Sequence, residues 1–365
     1  MEKALNPQEL PRVDEYIPSR EHFIMQDDKE MLRAARNLTK GLGVPKPNIY
    51  WPDMILSVGI GFGALVGAVV SEHAGVSVVL GLLSALGLYR ALMFIHELTH
   101  VPKNTLPGFR IAWNLLVGIP LLVPSFMYEG VHTLHHKRTQ YGTKEDPEYL
   151  PLALMHPWSL PAFLLVALLA PLGLLFRFSI LLPIGVIFSS VRKFVWEQAS
   201  SLKINPDFRR KAAEPKVSIS IFWQEFGGFV WSWCLIASIF IFGPRPLLIF
   251  AAVASLTALI NQLRTLVAHL WENDGEPMTV TAQFLDSVNV PPPGLLAEIW
   301  APVGLRYHAL HHLMPSMPYH DLPEAHRRLK HELGVQSTYS GANHLGLIRL
   351  IIRLARSTLR TKLAP

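Results

Sequence analysis

An all-α integral membrane protein is the predicted fold class, with about four transmembrane helices in two hairpins and a cytoplasmic helical cap carrying clustered histidines. Three observations predict it. Half of the 365 residues are hydrophobic and only 16% are charged, against roughly a quarter charged in ordinary soluble proteins. That deficit suits a bilayer, where ionisable side chains are costly at depth. Four apolar stretches, 54–70, 76–95, 229–242 and 247–263, approach the roughly 20 residues that cross a bilayer. Finally, half of the 16 histidines fall in three tight clusters.

The hairpins follow from the connecting loops. Residues 71–77 contain no Lys or Arg and 243–246 contain one Arg, whereas 1–50, 190–220 and the tail beyond 300 are rich in both. The positive-inside rule places those basic regions on the cytoplasmic side and the two short loops outside. A formal charge of +6 then fits anionic lipid headgroups better than nucleic acid. The stretch 160–187 is also apolar but is interrupted by Pro161, Pro171, Arg177 and Pro183. It reads as a third hairpin or a segment in the membrane surface, and both return the chain to the side it left. Residues 111–126, broken by Pro120 and Pro124, are too short to span and read as re-entrant or interfacial.

The first 50 residues are polar, lack an apolar h-region and read as a cytoplasmic segment, not a secretory signal. Asp321-Leu-Pro-Glu324 has the form of a capping box opening a helix through Leu329. Over 342–363, Arg349, Arg353, Arg356 and Arg360 recur at helical spacing beside Leu345, Ile348, Ile352 and Leu354. The pattern predicts an amphipathic basic helix on an anionic membrane face. With no internal repeat, 1–365 reads as a single membrane domain.

The chemistry resides in the histidines. His96-Glu-Leu-Thr-His100 closes the second span, and its four-residue step puts both imidazoles on one helical face. His132-Thr-Leu-His135-His136 and His308-Ala-Leu-His311-His312 use steps of three and four, predicted to put the first histidine on the same side as the last two. His269, just past the fourth span, returns to the same face and is a ninth candidate. His22, His156, His326, His331 and His344 stand apart and read as capped or solvated, and His73 falls in the outer loop. The lone Cys234 excludes an intrachain disulfide and a cysteine cage. Nine neutral imidazoles exceed what one four-coordinate zinc uses but suit two ions with positions left open. Glu97, Glu129, Asp146, Glu272 and Asp321 are candidate carboxylates for orienting those imidazoles.

The order HxxxH, HxxHH, a late histidine, then HxxHH resembles the integral membrane fatty acid desaturase family, from about Met54 to Leu329. The resemblance includes Lys144-Glu-Asp-Pro after the second box and His311-His-Leu-Met-Pro-Ser-Met-Pro-Tyr-His-Asp-Leu-Pro around the third. It implies a di-iron centre held by His96, His100, His132, His135, His136, His269, His308, His311 and His312, with O2 as co-substrate. Some relatives of known fold carry, four residues before the late histidine, an Asn that holds a water at the metal. Thr265 occupies that position here, a departure that leaves the water without its usual partner.

The expected reaction is desaturation of a fatty acyl chain, as an acyl lipid or thioester drawn from the bilayer. Hydroxylation or ketolation of a lipid or carotenoid at the same centre is the alternative. No haem module, cysteine cluster or dinucleotide fingerprint is visible, so electrons are expected from a separate ferredoxin-, rubredoxin- or cytochrome b5-type donor on the cytoplasmic face. The expected location is a bacterial inner membrane. Two rival classes remain. His96-Glu97-x-x-His100 also spells a zinc protease signature with Glu97 as general base, which leaves both HxxHH triplets unexplained. A non-catalytic metal carrier would place ionisable residues within the spans, where almost none occur.

Overall fold

The computed structural model describes residues 26–213, 215–293 and 296–361. Residues 1–25 of the expected cytoplasmic segment, including His22, and 362–363 of the expected C-terminal helix lie outside them. Every named element among the described residues is helical, and strand-like pairing is limited to isolated bridges.

Helix α1 (Lys29–Leu38) opens on Asp28, whose Oδ1 accepts the N–H groups of Glu30 and Met31 at 3.0 Å. That satisfies two of the donors a helix start leaves free. Helices α2 (Pro47–Val70) and α3 (Ala74–His100) form the first hairpin. They touch where Gly61 faces Gly87: a Cβ on Gly87 would lie 2.8 Å from the Gly61 nitrogen. The third helix stops at His100 because Pro102, two residues on, disfavours helical backbone before it.

Helix α4 (Phe109–Trp113) runs into a π-turn, Asn114–Gly118. Asn114 closes the stretch on itself, with Nδ2 donating to Ser125 Oγ at 2.9 Å and Oδ1 accepting the Ser125 N–H at 2.8 Å. Trp231 Nε1 donates to the Pro120 carbonyl at 2.9 Å, tying the turn to a membrane helix. The expected re-entrant stretch therefore has its prolines at the turn. Helix α5 (His132–His135) is a single turn.

The stretch 160–187 departs from expectation. It is one 29-residue helical run: α6 (Ser159–Phe176), a π-turn at Arg177–Leu181, and α7 (Leu182–Ile187). Pro161 sits in the first turn, where a missing N–H costs nothing, and Pro183 follows the π-turn. Pro171 is tolerated inside the helix, and the charge of Arg177 is matched by Glu225. Among the described residues five helices are thus long and apolar enough to cross a membrane, one more than the expected four: Pro47–Val70, Ala74–His100, Ser159–Ile187, Ser218–Phe242 and Arg245–Leu266. After α8 (Ser189–Ala199) come α9 (Pro215–Phe242) and α10 (Arg245–Leu266), joined through Gly243 at φ +75.

The Arg177–Glu225 pair is buried at 2% and 5% exposure, 2.8 Å apart, and Arg192 donates to the other Glu225 oxygen at 2.8 Å. Removing one partner of a buried pair typically costs roughly 3–5 kcal/mol, because a desolvated charge is left alone. Glu225→Leu should therefore lower the thermal midpoint in detergent by several degrees. Glu324→Gln, whose carboxylate meets Arg327 and Arg328 at the surface, should leave it unchanged.

Short helices fill the end of the molecule where α3 and α10 finish: α11 (Val280–Asp286), α12 (Ala297–Trp300), α13 (His308–Leu313), α14 (Leu322–Leu333) and α15 (Thr338–Gly341). Met31 and Ala35 of α1 share a core with Phe284, Leu310, Ala325, Leu329 and Tyr339. The expected capping box does not form. Asp321 precedes α14, but its carboxylate accepts from the Gly43 N–H at 2.8 Å and meets Lys46 and His320, while Glu324 is drawn to Arg327 and Arg328. Helix α14 continues to Leu333 and ends at Gly334, φ +77. Helix α16 (Leu347–Thr361) begins five residues later than expected. Leu354 and Leu350 turn inward, whereas Ile348, Ile352 and Leu359 stay exposed. Arg353 pairs with Glu272 at 2.9 Å.

Candidate metal centre

All nine predicted histidines converge, in two adjacent groups. One holds His96, His100, His132, His136 and His311; the other holds His135, His269, His308 and His312. Within each group one ring nitrogen per residue lies within 4.8 Å of every other. The groups meet where His136 and His312 stack with ring centroids 4.3 Å apart.

Helix geometry explains the partition and corrects the expectation that each triplet faces one way. At about 100° per residue, positions i and i+4 diverge by only about 40°, while i+3 falls on the other side of i. His132 and His136 therefore enter one group and His135 the other; His308 and His312 stay together while His311 crosses over. The three boxes alone would supply five histidines to one group and three to the other. His269, held three residues past the end of α10, is the fourth in the smaller group.

The cage is rigidly backed, though mostly by residues other than those singled out from sequence. Of the expected carboxylates Asp146 lies against the cage: its oxygens are 2.9 and 3.0 Å from His135 Nδ1, and it accepts the N–H groups of Gly142 and Glu148 at 2.8 Å. Glu148 and Tyr128 hold His132 Nδ1, each at 2.9 Å, and bond to each other. Tyr141 lies 2.8 Å from His269 Nδ1 and donates to Asp286 at 2.7 Å, with Ser287 Oγ 3.3 Å from the same imidazole nitrogen. Lys144-Glu-Asp-Pro-Glu148 holds two of these carboxylates, so the text after the second box carried a readable sign for Glu148. For Asp286 and the tyrosines, nothing in the spacing marked them.

The remaining expectations are corrected. Glu97 is buried one residue from His96, yet its carboxylate accepts from the Tyr50 hydroxyl and, at 3.2 Å, from the Tyr319 N–H. Adjacent residues on a helix point about 100° apart, so Glu97 faces the α2 side and not the histidines. The protease reading loses its general base. Glu129 pairs with Arg110, Glu272 with Arg353, and Asp321 with Lys46 and His320. The Thr265 hydroxyl makes no hydrogen bond to a histidine among the described residues. His156 and His326 join neither group: His156 accepts the Trp158 N–H, and His326 bonds the Tyr339 hydroxyl.

The donor set fits metal ions. His132 and His136 bring Nε2 atoms to 2.9 Å, His136 and His311 to 3.2 Å, His269 and His308 to 3.0 Å, and His308 and His312 to 3.2 Å. Both ring nitrogens of His96 and the Nε2 of His100 are buried with no hydrogen-bond partner. Buried polar atoms left unpaired are expensive, and a shared cation removes that cost for a whole group at once. Burial, then repulsion from neighbouring cationic groups, holds His132, His136, His269, His308, His311 and His312 well below the ordinary histidine range. That direction favours the neutral imidazole, the form that ligates metal. For His135 burial also opposes the charge, but the Asp146 carboxylate outweighs it and raises the group.

A protein with five apolar helices and a buried nine-histidine cage defines a membrane metalloenzyme class, and residues 73–340 match the fatty acid desaturase family model. The chain belongs to that family. It is similar to a ceramide hydroxylase of Caulobacter vibrioides (strain NA1000 / CB15N), 46% identical over 331 residues that cover 90% of this chain and 94% of the relative. No solved structure matches it. The chain is therefore an integral membrane oxidoreductase of the desaturase and hydroxylase superfamily.

Proposed function

We propose that the chain hydroxylates a ceramide-class lipid, using O2 and two iron ions held by the five- and four-histidine groups. The similarity to a ceramide hydroxylase along nine-tenths of the chain carries this reading, and it replaces acyl desaturation as the first expectation. Iron in both groups would supply the oxidising power to break an unactivated C–H bond. The net change is insertion of one oxygen atom into that bond, with the second leaving as water at the expense of two electrons and two protons. The chain's own contribution is positional. Asp146, Glu148 and the Tyr141–Asp286 pair fix which imidazole nitrogen faces inward, and burial of the cage keeps bulk water from the site. The electrons come from a separate donor of ferredoxin, rubredoxin or cytochrome b5 type.

The test is product analysis under 18O2. The chain and a suitable reductant would be supplied with a ceramide, and the product should be heavier by one labelled oxygen. Desaturation remains the second reading, supported by the family model. An unsaturated, unlabelled product would establish it in place of hydroxylation.

For topology, the reading is that the α2–α3 and α9–α10 hairpins cross while α6–α8 leaves and returns on the side of the histidines. Support comes from its ends: the Ala153 N–H donates to the Trp271 carbonyl, and the Leu202 N–H to the Met127 carbonyl, both beside the cage. The basic surroundings of the cage favour the cytoplasmic face of a bacterial inner membrane. In a Cys234→Ala background, a cysteine introduced at position 75 should label from outside intact cells, and one at position 40 should not. The reverse pattern overturns the orientation.

A further inference from the structure

A cavity of about 370 Å³ opens between α8 and the first turns of α9, away from the histidine cage. Its volume falls within the roughly 300–1,000 Å³ typical of ligand sites. Arg192 and Lys193 line one wall with Trp196, and Ile221 and Phe222 line the other. We propose that this cavity binds the headgroup of an anionic phospholipid, with its acyl chains lying along α9.

The charge inventory around the cavity motivates the proposal. Glu225 is one carboxylate shared by two guanidiniums, Arg177 and Arg192. Arg177 Nη1 is buried with no hydrogen-bond partner. Lys193 has only a loose contact, 3.9 Å, with Glu197. Arg210 stacks over Trp196 at 4.8 Å, and its guanidinium donates to the carbonyl oxygens of Ser200 and Glu129. Glu129 also lies near Arg210 but is shared with Arg110, so five cations, Arg110, Arg177, Arg192, Lys193 and Arg210, meet three carboxylates, Glu129, Glu197 and Glu225. An uncompensated cation beside apolar surface is costly, and an anion in the cavity would balance it.

The apolar side selects a lipid. From the cavity wall, Phe222 continues into Trp223 and Phe226, with ring centroids 5.3 and 6.0 Å apart along the series, all three exposed on a helix apolar enough to cross a membrane. Indole and phenyl groups beside a basic cluster are what the headgroup boundary of a bilayer favours. A free phosphate would use the cations and leave this aromatic track without purpose. The inference stands whichever lipid the histidine cage oxidises.

The experiment uses the full chain in mild detergent, with native mass spectrometry counting bound phosphatidylglycerol against phosphatidylcholine. Wild type should retain phosphatidylglycerol preferentially. Arg192→Gln with Lys193→Gln should weaken it by about thirtyfold, given the usual contribution of a basic side chain near an anionic lipid. Lys193→Gln alone, at an exposed position that leaves the Glu225 pairs intact, should weaken it about fivefold. Arg192→Lys with Lys193→Arg, and Arg327→Gln on α14, should retain it. Equal retention of the two lipids, or no change in the Lys193→Gln variant, overturns the proposal. Full displacement by millimolar inorganic phosphate would reassign the cavity to a small anion and equally overturn the lipid assignment.

Discussion

His269→Ala is expected to abolish turnover and to lose the metal of the four-histidine group, although His269 belongs to none of the three boxes. The helical partition leaves that group with His135, His308 and His312, and His269 closes it with Nε2 3.0 Å from that of His308. The residue cannot be replaced from nearby. Its ring packs against Trp271, Tyr141 and Tyr149, and its Nδ1 is held by Tyr141, so no other side chain reaches the space it leaves. Losing one of four ligands from an ion that also needs open positions should lower iron content to about one per chain and turnover by at least about a hundredfold. His73→Ala, between the first two apolar helices, should keep both near wild type. Metal analysis beside a turnover assay reads the pair. Retained iron and activity in His269→Ala would falsify the four-histidine group.

The second large effect should come from carboxylates behind the cage. Asp146→Asn removes a fully buried charge that holds His135 Nδ1 and two backbone N–H groups. Glu148→Gln weakens the hold on His132, which lies in the other group. Each should reduce metal affinity by about 10–100-fold, the range for losing a partner that orients a ligating imidazole. Glu129→Gln and Glu272→Gln break ion pairs with Arg110 and Arg353 that do not reach the histidines, and they should leave metal affinity unchanged. Iron retention against a graded chelator separates the two sets. Equal loss in all four variants would mean the effect runs through folding and not through imidazole orientation.

The sequence revealed the cage more fully than its support. A histidine declares a ligand by its chemistry, and steps of three and four residues bring neighbours to one end of a turn whatever the tertiary context. The split within each triplet was available from the same helical angles. His269 was legible because a span ending near the cage leaves few places for the residues just beyond it. Carboxylates are different. Glu97, Glu129 and Glu272 were near the boxes in sequence, but their partners, Tyr50, Arg110 and Arg353, are brought in by other helices. Asp286 is placed by α11, 17 residues beyond His269, and no local pattern carries that placement.

Membrane helices were similarly uneven. Uniform apolar runs marked α2, α3, α9 and α10 within a few residues at most boundaries. The run from Ser159 to Ile187 was obscured because Pro171 and Arg177 ordinarily argue against a continuous apolar helix. Its resolution is long-range: Glu225, 48 residues away, neutralises Arg177, and a π-turn absorbs the local distortion. The capping box failed for a related reason, since Gly43 and Lys46 compete for Asp321 from the opposite end of the chain.

In the proposed function nine histidines hold two irons in one buried cage. Protein expressed with ample iron, purified without chelators and quantified by elemental analysis against amino-acid content, measures it directly. Two irons per chain are predicted, with negligible zinc. A single zinc with no iron, in a preparation that still turns over lipid, would contradict it.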